Sequence, residues 1–296
     1  MAKLYLGTKE SSPVIKETIY LPKEKCGLTI DNFVGDVDEE GTLSSPEKAL
    51  GAEYIFNGVK TIAAGALNGT FRNNENVKKI SFPDLETISG NKACFELAMN
   101  ASNLESFEAP KLEVIDGDFG YALNSARQLK EIKFPSLRHI TKNGSMTYFC
   151  YACYGVELID LSSLEIIEGN LHEWIYNLSN VSEIRLDSLR IYNPSTSNYV
   201  FENLSKIKKI DFPSLEEFLV QGQSFVYGSF PLLEEINFPK LTVFHVNGFS
   251  SSMFSSSVAS RVFDIHFRAD VREQVENMPA YSNKFGATNA NIYFDL

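Results

Sequence analysis

The chain has 296 residues, 44% hydrophobic and 22% charged, a mixture that excludes wholesale disorder. A formal net charge of −11 repels phosphate in general, so nucleic acid is not an expected partner. No stretch approaches the roughly 18 uninterrupted apolar residues of a spanning helix, so membrane insertion is not expected either.

Residues 1–50 contain strand-like pieces at 3–6, 16–21 and 27–34 but no good repeat, and are read as an N-terminal cap or attachment segment. The first eight residues alternate like a strand and lack the apolar run of a secretory signal, so no signal peptide is read. Within this segment, Asp36, Asp38, Glu40 and Glu47 stand at positions one, three, five and twelve of a short acidic stretch, with Gly41 at six and Ser44 at nine. That is the layout of a calcium loop, in which the glycine makes the turn and the last carboxylate closes the shell. Position five is Glu rather than Asp or Asn, Pro46 stands where a helix would begin, and there is no second copy. The expectation is therefore an acidic turn with no resident metal or cofactor.

Residues 51–70 read as a degenerate first coil, with Ile55, Val59 and Ile62 at repeat-like places. From there one phrase, apolar-x-x-Ile-x-Phe-Pro-x-Leu-x-x-Ile, returns every 25–27 residues, at 77–88, 104–115, 129–140, 156–167, 181–192, 207–218 and 233–244. A period of this size predicts a solenoid over 51–267, in which each unit buries its apolar face only by stacking on its neighbours. In the third copy, Ile132 and Phe134 alternate with Glu131 and Lys133, which turns both apolar side chains towards the core of a strand. Pro135 ends that strand, and Leu137 and Ile140 re-enter the core on the returning side.

The outward positions test the stacking. Down the copies, the first x reads Lys78, Glu105, Lys130, Glu157, Ser182, Lys208, Glu234, and the last x reads Ser81, Glu108, Lys133, Asp160, Arg185, Asp211, Asn237. Signs mostly alternate, as in-register strands about 4.8 Å apart would require. An Asn row is expected ahead of each strand, at Asn100, Asn124, Asn177 and Asn203 with Tyr151 and Gly228, bonding turn backbone; it also accounts for the recurring Asn-x-Ser sequons. Cys150 and Cys153 form a C-x-x-C, but Cys26 and Cys94 belong to other coils and no His follows at zinc spacing, so packing is the expected role.

Aromatic residues crowd the variable connections: Tyr148, Phe149, Tyr151 and Tyr154 in one coil, Trp174 and Tyr176 in the next, then Tyr192, Tyr199 and Phe201. Half or more are assigned to the core. Tyr151, Tyr154, Trp174 and Tyr176 are taken as the candidate ligand-binding patch, since Trp and Tyr dominate interface hot spots. After the last copy the phrase decays towards 262–267; a short helix near 270–277 and a strand at 291–296 are expected to form a C-terminal cap over 268–296.

The phrase Leu-x-x-Ile-x-Phe-Pro-x-Leu-x-x-Ile-x-Gly, as at 76–90 and 103–117, resembles the BspA-type bacterial leucine-rich repeats. The resemblance implies a right-handed β-rich coil with one parallel sheet, irregular connections and little helix. Residues 3–14 and 284–296 are similar to segments of structural proteins from bacteriophages and prophages of gut bacteria. The four His are dispersed, and no nucleophile elbow, phosphate loop or dinucleotide fingerprint is present, so no enzyme is read. The expectation is a non-catalytic binding protein, virion-associated or extracellular, whose partner is a protein or glycan on a bacterial surface, with other virion proteins as further partners. A bacterial surface adhesin and a virion spacer or decoration protein are the alternatives.

Overall fold

A computed structural model describes residues 53–296 apart from 57–58, 63, 221–224, 246–248, 250–252, 255–261 and 288, together with four two-residue strands nearer the amino terminus. Those four pair antiparallel, Leu6–Gly7 with Val14–Ile15 and Ile19–Tyr20 with Thr29–Ile30, and so stand apart from the array. From Glu53 onward the chain is a parallel β-solenoid with very little helix.

Each copy of the phrase makes two strands. The Ile-centred strand is short because proline, or a residue in its place, follows it; in the second copy it covers Ser106–Glu108, just ahead of Ala109-Pro110. Ile80 lies opposite Phe107; Ile132, Ile159 and Ile184 form one row of successive partners, and Ile210, Ile236, Ile265 and Ile292 another. Two residues further on, Phe82, Phe134, Phe212, Phe238 and Phe267 are all buried, and Phe212, Phe238 and Phe267 stack face to face down the axis. The alternation read from Ile132 and Phe134 is thus the alternation of the core.

The single sheet implied by the resemblance is corrected. The returning Leu-x-x-Ile segment is also extended, and it forms the longest sheet: eight parallel strands from Thr61–Ile62 to Val243–Phe244. Ile62, Ile88, Ile115, Ile140, Ile167, Tyr192, Phe218 and Phe244 stand in register along it. The physical reason is that backbone N–H and C=O groups on this side have no other partners, so they too must be satisfied coil to coil. By contrast the Ile-centred ladder comes in blocks, interrupted between Ser106–Glu108 and Glu131–Lys133 and again between Glu183–Arg185 and Lys209–Asp211.

The charge columns pair within those blocks. Lys78 reaches Glu105 at 3.1 Å, Lys130 reaches Glu157 at 3.6 Å, Arg185 reaches Asp160 at 3.4 Å and Lys208 reaches Glu234 at 3.9 Å. Among the described residues no ion pair within the two charge columns bridges either interruption, so the sign alternation holds as pairing only where the strands are laced. Lys130→Glu is expected to cost at most about 1 kcal/mol in urea unfolding, because both partners are well exposed. A loss of several kcal/mol would mean the position is buried.

At the carboxyl end Phe263–Phe267 continues the ladder and Ala290–Phe294 adds a last parallel rung, with a short helix at Arg272–Glu276 between them. The expected C-terminal cap therefore contributes a strand to the same stack.

Candidate functional site

A third flank lies between each returning strand and the next Ile-centred strand, and its backbone repeats every four residues. In the first described coil, the N–H groups of Leu67, Gly69, Phe71 and Asn73 cross to the carbonyls of Ala93, Phe95, Leu97 and Met99 in the next coil. The N–H groups between them, of Asn68, Thr70, Arg72 and Asn74, close turns onto Gly65, Leu67, Gly69 and Phe71. Every fourth residue takes a left-handed conformation, at Gly65, Gly69 and Asn73, then at Lys92, Glu96 and Asn100. The pairs Tyr121 and Ser125, Tyr148 and Ala152, Glu173 and Asn177, and Tyr199 and Asn203 continue the pattern. For a residue with a Cβ this costs about 1–2 kcal/mol, least for Asn, so it persists because the coil-to-coil bonds demand it.

This corrects the Asn row. The aligned column is Asn73, Asn100, Ser125, Ala152, Asn177, Asn203 and Gly228, and each member has a positive φ. Asn124 and Tyr151 lie one place earlier and point elsewhere. Asn is favoured here for its tolerance of the left-handed region as much as for its amide. The amides do bond as expected in places: Asn100 Nδ2 donates to Asn73 Oδ1 at 3.0 Å, and Ser229 N donates to Asn203 Oδ1 at 2.9 Å.

Two side-chain columns run along the outside of this flank. One is Glu96, Tyr121, Tyr148, Glu173 and Tyr199; beside it runs Tyr151, Tyr176, Glu202 and Tyr227. The rings touch from coil to coil. Tyr121 stacks on Tyr148 with centroids 4.8 Å apart, Tyr151 meets Tyr176 at 4.8 Å, Tyr199 meets Tyr227 at 4.7 Å, and Tyr148 and Tyr151 join the two columns at 5.9 Å. His172 packs edge-on against Tyr148 at 5.5 Å. Phe95 extends the surface through Tyr121, and His172 carries it on to Tyr199 at 6.1 Å, giving a face of rings over six coils.

Carboxylates are set into these rings. Tyr148 Oη donates to Glu173 Oε1 at 2.8 Å, and His172 Nε2 lies 3.3 Å from the same oxygen. Glu202 is only 8% exposed, and Asn203 Nδ2 donates to it at 3.3 Å. Burial, reinforced by the Glu173 charge, pushes the Glu202 carboxyl up to about 7. The Tyr148 and Tyr176 phenols are raised by burial and by the same carboxylates, and no lysine or arginine among the described residues pairs with Glu173 or Glu202.

Of the four patch residues read from the sequence, three come together. Tyr154 is 39% exposed, accepts from Asn177 Nδ2 at 3.4 Å and has the Arg127 guanidinium over its ring, close to Tyr151 and Tyr176. Trp174 is corrected: it is 1% exposed, inward at the register held by Phe149 and Val200 in the coils on either side. Sequence reasoning missed Tyr121, Tyr148, Glu173, Tyr199, Glu202 and Tyr227 as members of one face. A signal was present: Tyr121, Tyr148, Glu173 and Tyr199 each stand eight residues ahead of a copy of the phrase, and Tyr151, Tyr176 and Glu202 five. Trp174 stands seven ahead, on the inward phase.

The remaining candidates do not make a site. Cys150 and Cys153 are buried; their Sγ atoms donate to Trp174 O at 3.3 Å and Leu123 O at 2.8 Å, and burial pushes the Cys153 thiol up to about 12, as packing cysteines should behave. Asp36, Asp38, Glu40 and Glu47 lie outside the described residues, as does Cys26. A groove at the first ladder interruption is lined by Phe107, Pro135, Glu105, Glu108, Lys130 and Lys133. Its charges are engaged within their own blocks, Glu108 with Lys79 at 2.6 Å and Lys133 with Glu131 at 2.6 Å.

Compared with protein-family models and with curated proteins, the chain finds no match in either.

Proposed function

We propose that this chain is a non-catalytic binding protein of the BspA leucine-rich-repeat type, whose tyrosine and carboxylate face docks a ligand on a bacterial cell surface. The observation that carries the reading is the continuity of that face. Seven aromatic side chains from six coils, five in one run of ring contacts and Tyr199 with Tyr227 joined to it through His172, lie on one flank, while their backbone is held by coil-to-coil bonds. Half-exposed tyrosines on a rigid frame lose little freedom on binding and supply both apolar area and a hydroxyl. The phage-like segments at 3–14 and 284–296 support a virion-borne carrier within this proposal.

The test compares the unaltered protein with Tyr148→Ala/Tyr176→Ala and with Glu217→Ala on the long sheet, by retention on bacterial cells and on a glycan array. The tyrosine variant is expected to bind more than about tenfold more weakly with its melting transition retained, and Glu217→Ala to bind normally. Equal retention of the tyrosine variant and the unaltered protein would overturn the reading.

A further inference from the structure

We propose that the part of this face between Tyr148 and Tyr227 docks a basic protein segment, whose lysine or arginine head groups sit against Glu173 and Glu202 among the tyrosine rings. The inference rests on the binding reading above and adds the chemical class of the partner.

Charge complementarity favours a cationic partner. Along the Ile-centred strands carboxylates such as Glu105, Glu108, Glu157 and Glu234 have a lysine within 4 Å. Among the described residues Glu173 and Glu202 have none: their partners are a phenol, a histidine and a neighbouring amide. Glu202 stands in register between Tyr176 and Tyr227, and Tyr148 and Tyr199 flank Glu173 in its own column. Aromatic rings around a carboxylate favour an ammonium or guanidinium twice over, through the ring faces and through the charge. A neutral glycan would cover the rings but leave both carboxylates uncompensated in a partly dry site, at a desolvation cost.

The length of the face suits a short extended peptide. Successive coils are about 4.8 Å apart, so the coils of Tyr148, Glu173, Tyr199 and Tyr227 span roughly 14 Å, which four or five residues of extended peptide cover at about 3.3 Å each. Such a segment presents alternate side chains to one face, as the two carboxylates in adjacent coils require.

The surroundings of Glu202 favour a cation as well. The groups facing it are Glu173 and Tyr176 from the coil before, Asn203 beside it and Tyr227 from the coil after, with His172 against Glu173. None of them is a fixed cation. Its carboxyl is raised, so the fold gains most from this group below the ordinary carboxylate range and loses that gain as pH climbs through about 7. A docked cation offsets the loss, so binding of a basic segment tightens over the same window.

The test is fluorescence anisotropy with the full chain and a labelled peptide of alternating lysine and glycine, against the same peptide with its lysines acetylated. The lysine peptide is expected to bind and the acetylated one not. Glu173→Gln/Glu202→Gln should weaken binding by about tenfold, while Glu113→Gln/Glu217→Gln, an equal charge change on the long-sheet flank, should leave it unaltered. Binding should strengthen from pH 6 to pH 8 in the unaltered protein and lose that dependence in Glu202→Gln, since the carboxyl titrates near 7. Equal loss in both double variants, or equal binding of the acetylated peptide, would overturn the inference. If the tyrosine double variant loses cell binding while the lysine peptide fails to bind, the basic segment is wrong and the docking face stands. If that variant keeps cell binding, the docking face itself is wrong.

Discussion

Trp174→Ala is expected to lower stability by about 3–5 kcal/mol, read as a shift in the urea midpoint, with a matching fall in melting temperature. The indole is 1% exposed and the bulkiest of the fully buried side chains, packed in the core at the register of Phe149 and Val200 in the adjoining coils. Removing it leaves a void bounded by the Phe149 and Val200 registers. The coils cannot close on that void, because the flanking backbone bonds, Glu173 N to Asn198 O at 2.9 Å and Ile175 N to Val200 O at 3.0 Å, hold their spacing. In a solenoid each coil is stabilised by its interfaces with the two beside it, so the damage spreads to both neighbours. A surface tryptophan would behave otherwise, with a stability change within about 0.5 kcal/mol and a loss confined to binding. That outcome would contradict the inward phase assigned to Trp174 and, with it, the outward phase of Glu173 next to it.

Ile132→Asp is expected to be as severe or worse, with loss of the cooperative transition at ordinary temperature. Ile132 is 3% exposed and stands opposite Ile159 in an aliphatic row that continues to Ile184. An aspartate there either ionises without a partner or takes up a proton, and each course costs several kcal/mol. Two companions separate this cause from general intolerance. Ile132→Val should cost only about 0.5–1.5 kcal/mol, and Glu131→Asp, one residue away and exposed, close to nothing. Circular dichroism during urea titration distinguishes the three. A cooperatively folded Ile132→Asp protein would mean that the strand presents its other face to the core.

Much of the architecture was legible because period and alternation are local. Ile132, Phe134, Leu137 and Ile140 declare their burial through the polar residues between them, and all four are buried. The charge columns were legible for the same reason: residues at one place in the phrase must become neighbours once the coils stack, and Lys78 does reach Glu105. The second sheet was not, since Leu-x-x-Ile is too short to show alternation and its extended form follows only from coil-to-coil pairing. The interruptions of the Ile-centred ladder were equally hidden, for the residues on either side of them carry the same phrase.

The candidate face divides the same way. Residue type and placement in adjacent coils put Tyr151, Tyr154 and Tyr176 together and wrongly added Trp174, because an aromatic residue in a connection carries no mark of which way it points. What orients it is the four-residue alternation of turn closure and cross-coil bonding, with left-handed residues at Tyr148 and Ala152, Glu173 and Asn177. That alternation has no side-chain code outside its glycines and asparagines.

The amino-acid sequence by itself determined that this protein is a stack of similar coils, since no unit of about 26 residues can bury its apolar phrase alone. It also determined the register, through alternating charges and the repeated Ile and Phe. Only the tertiary structure decided that the stack has a long second sheet, that the tryptophan belongs to the core, and that tyrosines and the carboxylates Glu173 and Glu202 share one flank. The reason is that a side chain's outward or inward phase on this third flank depends on hydrogen bonds to the next coil, whose partners lie some 25 residues away in the chain.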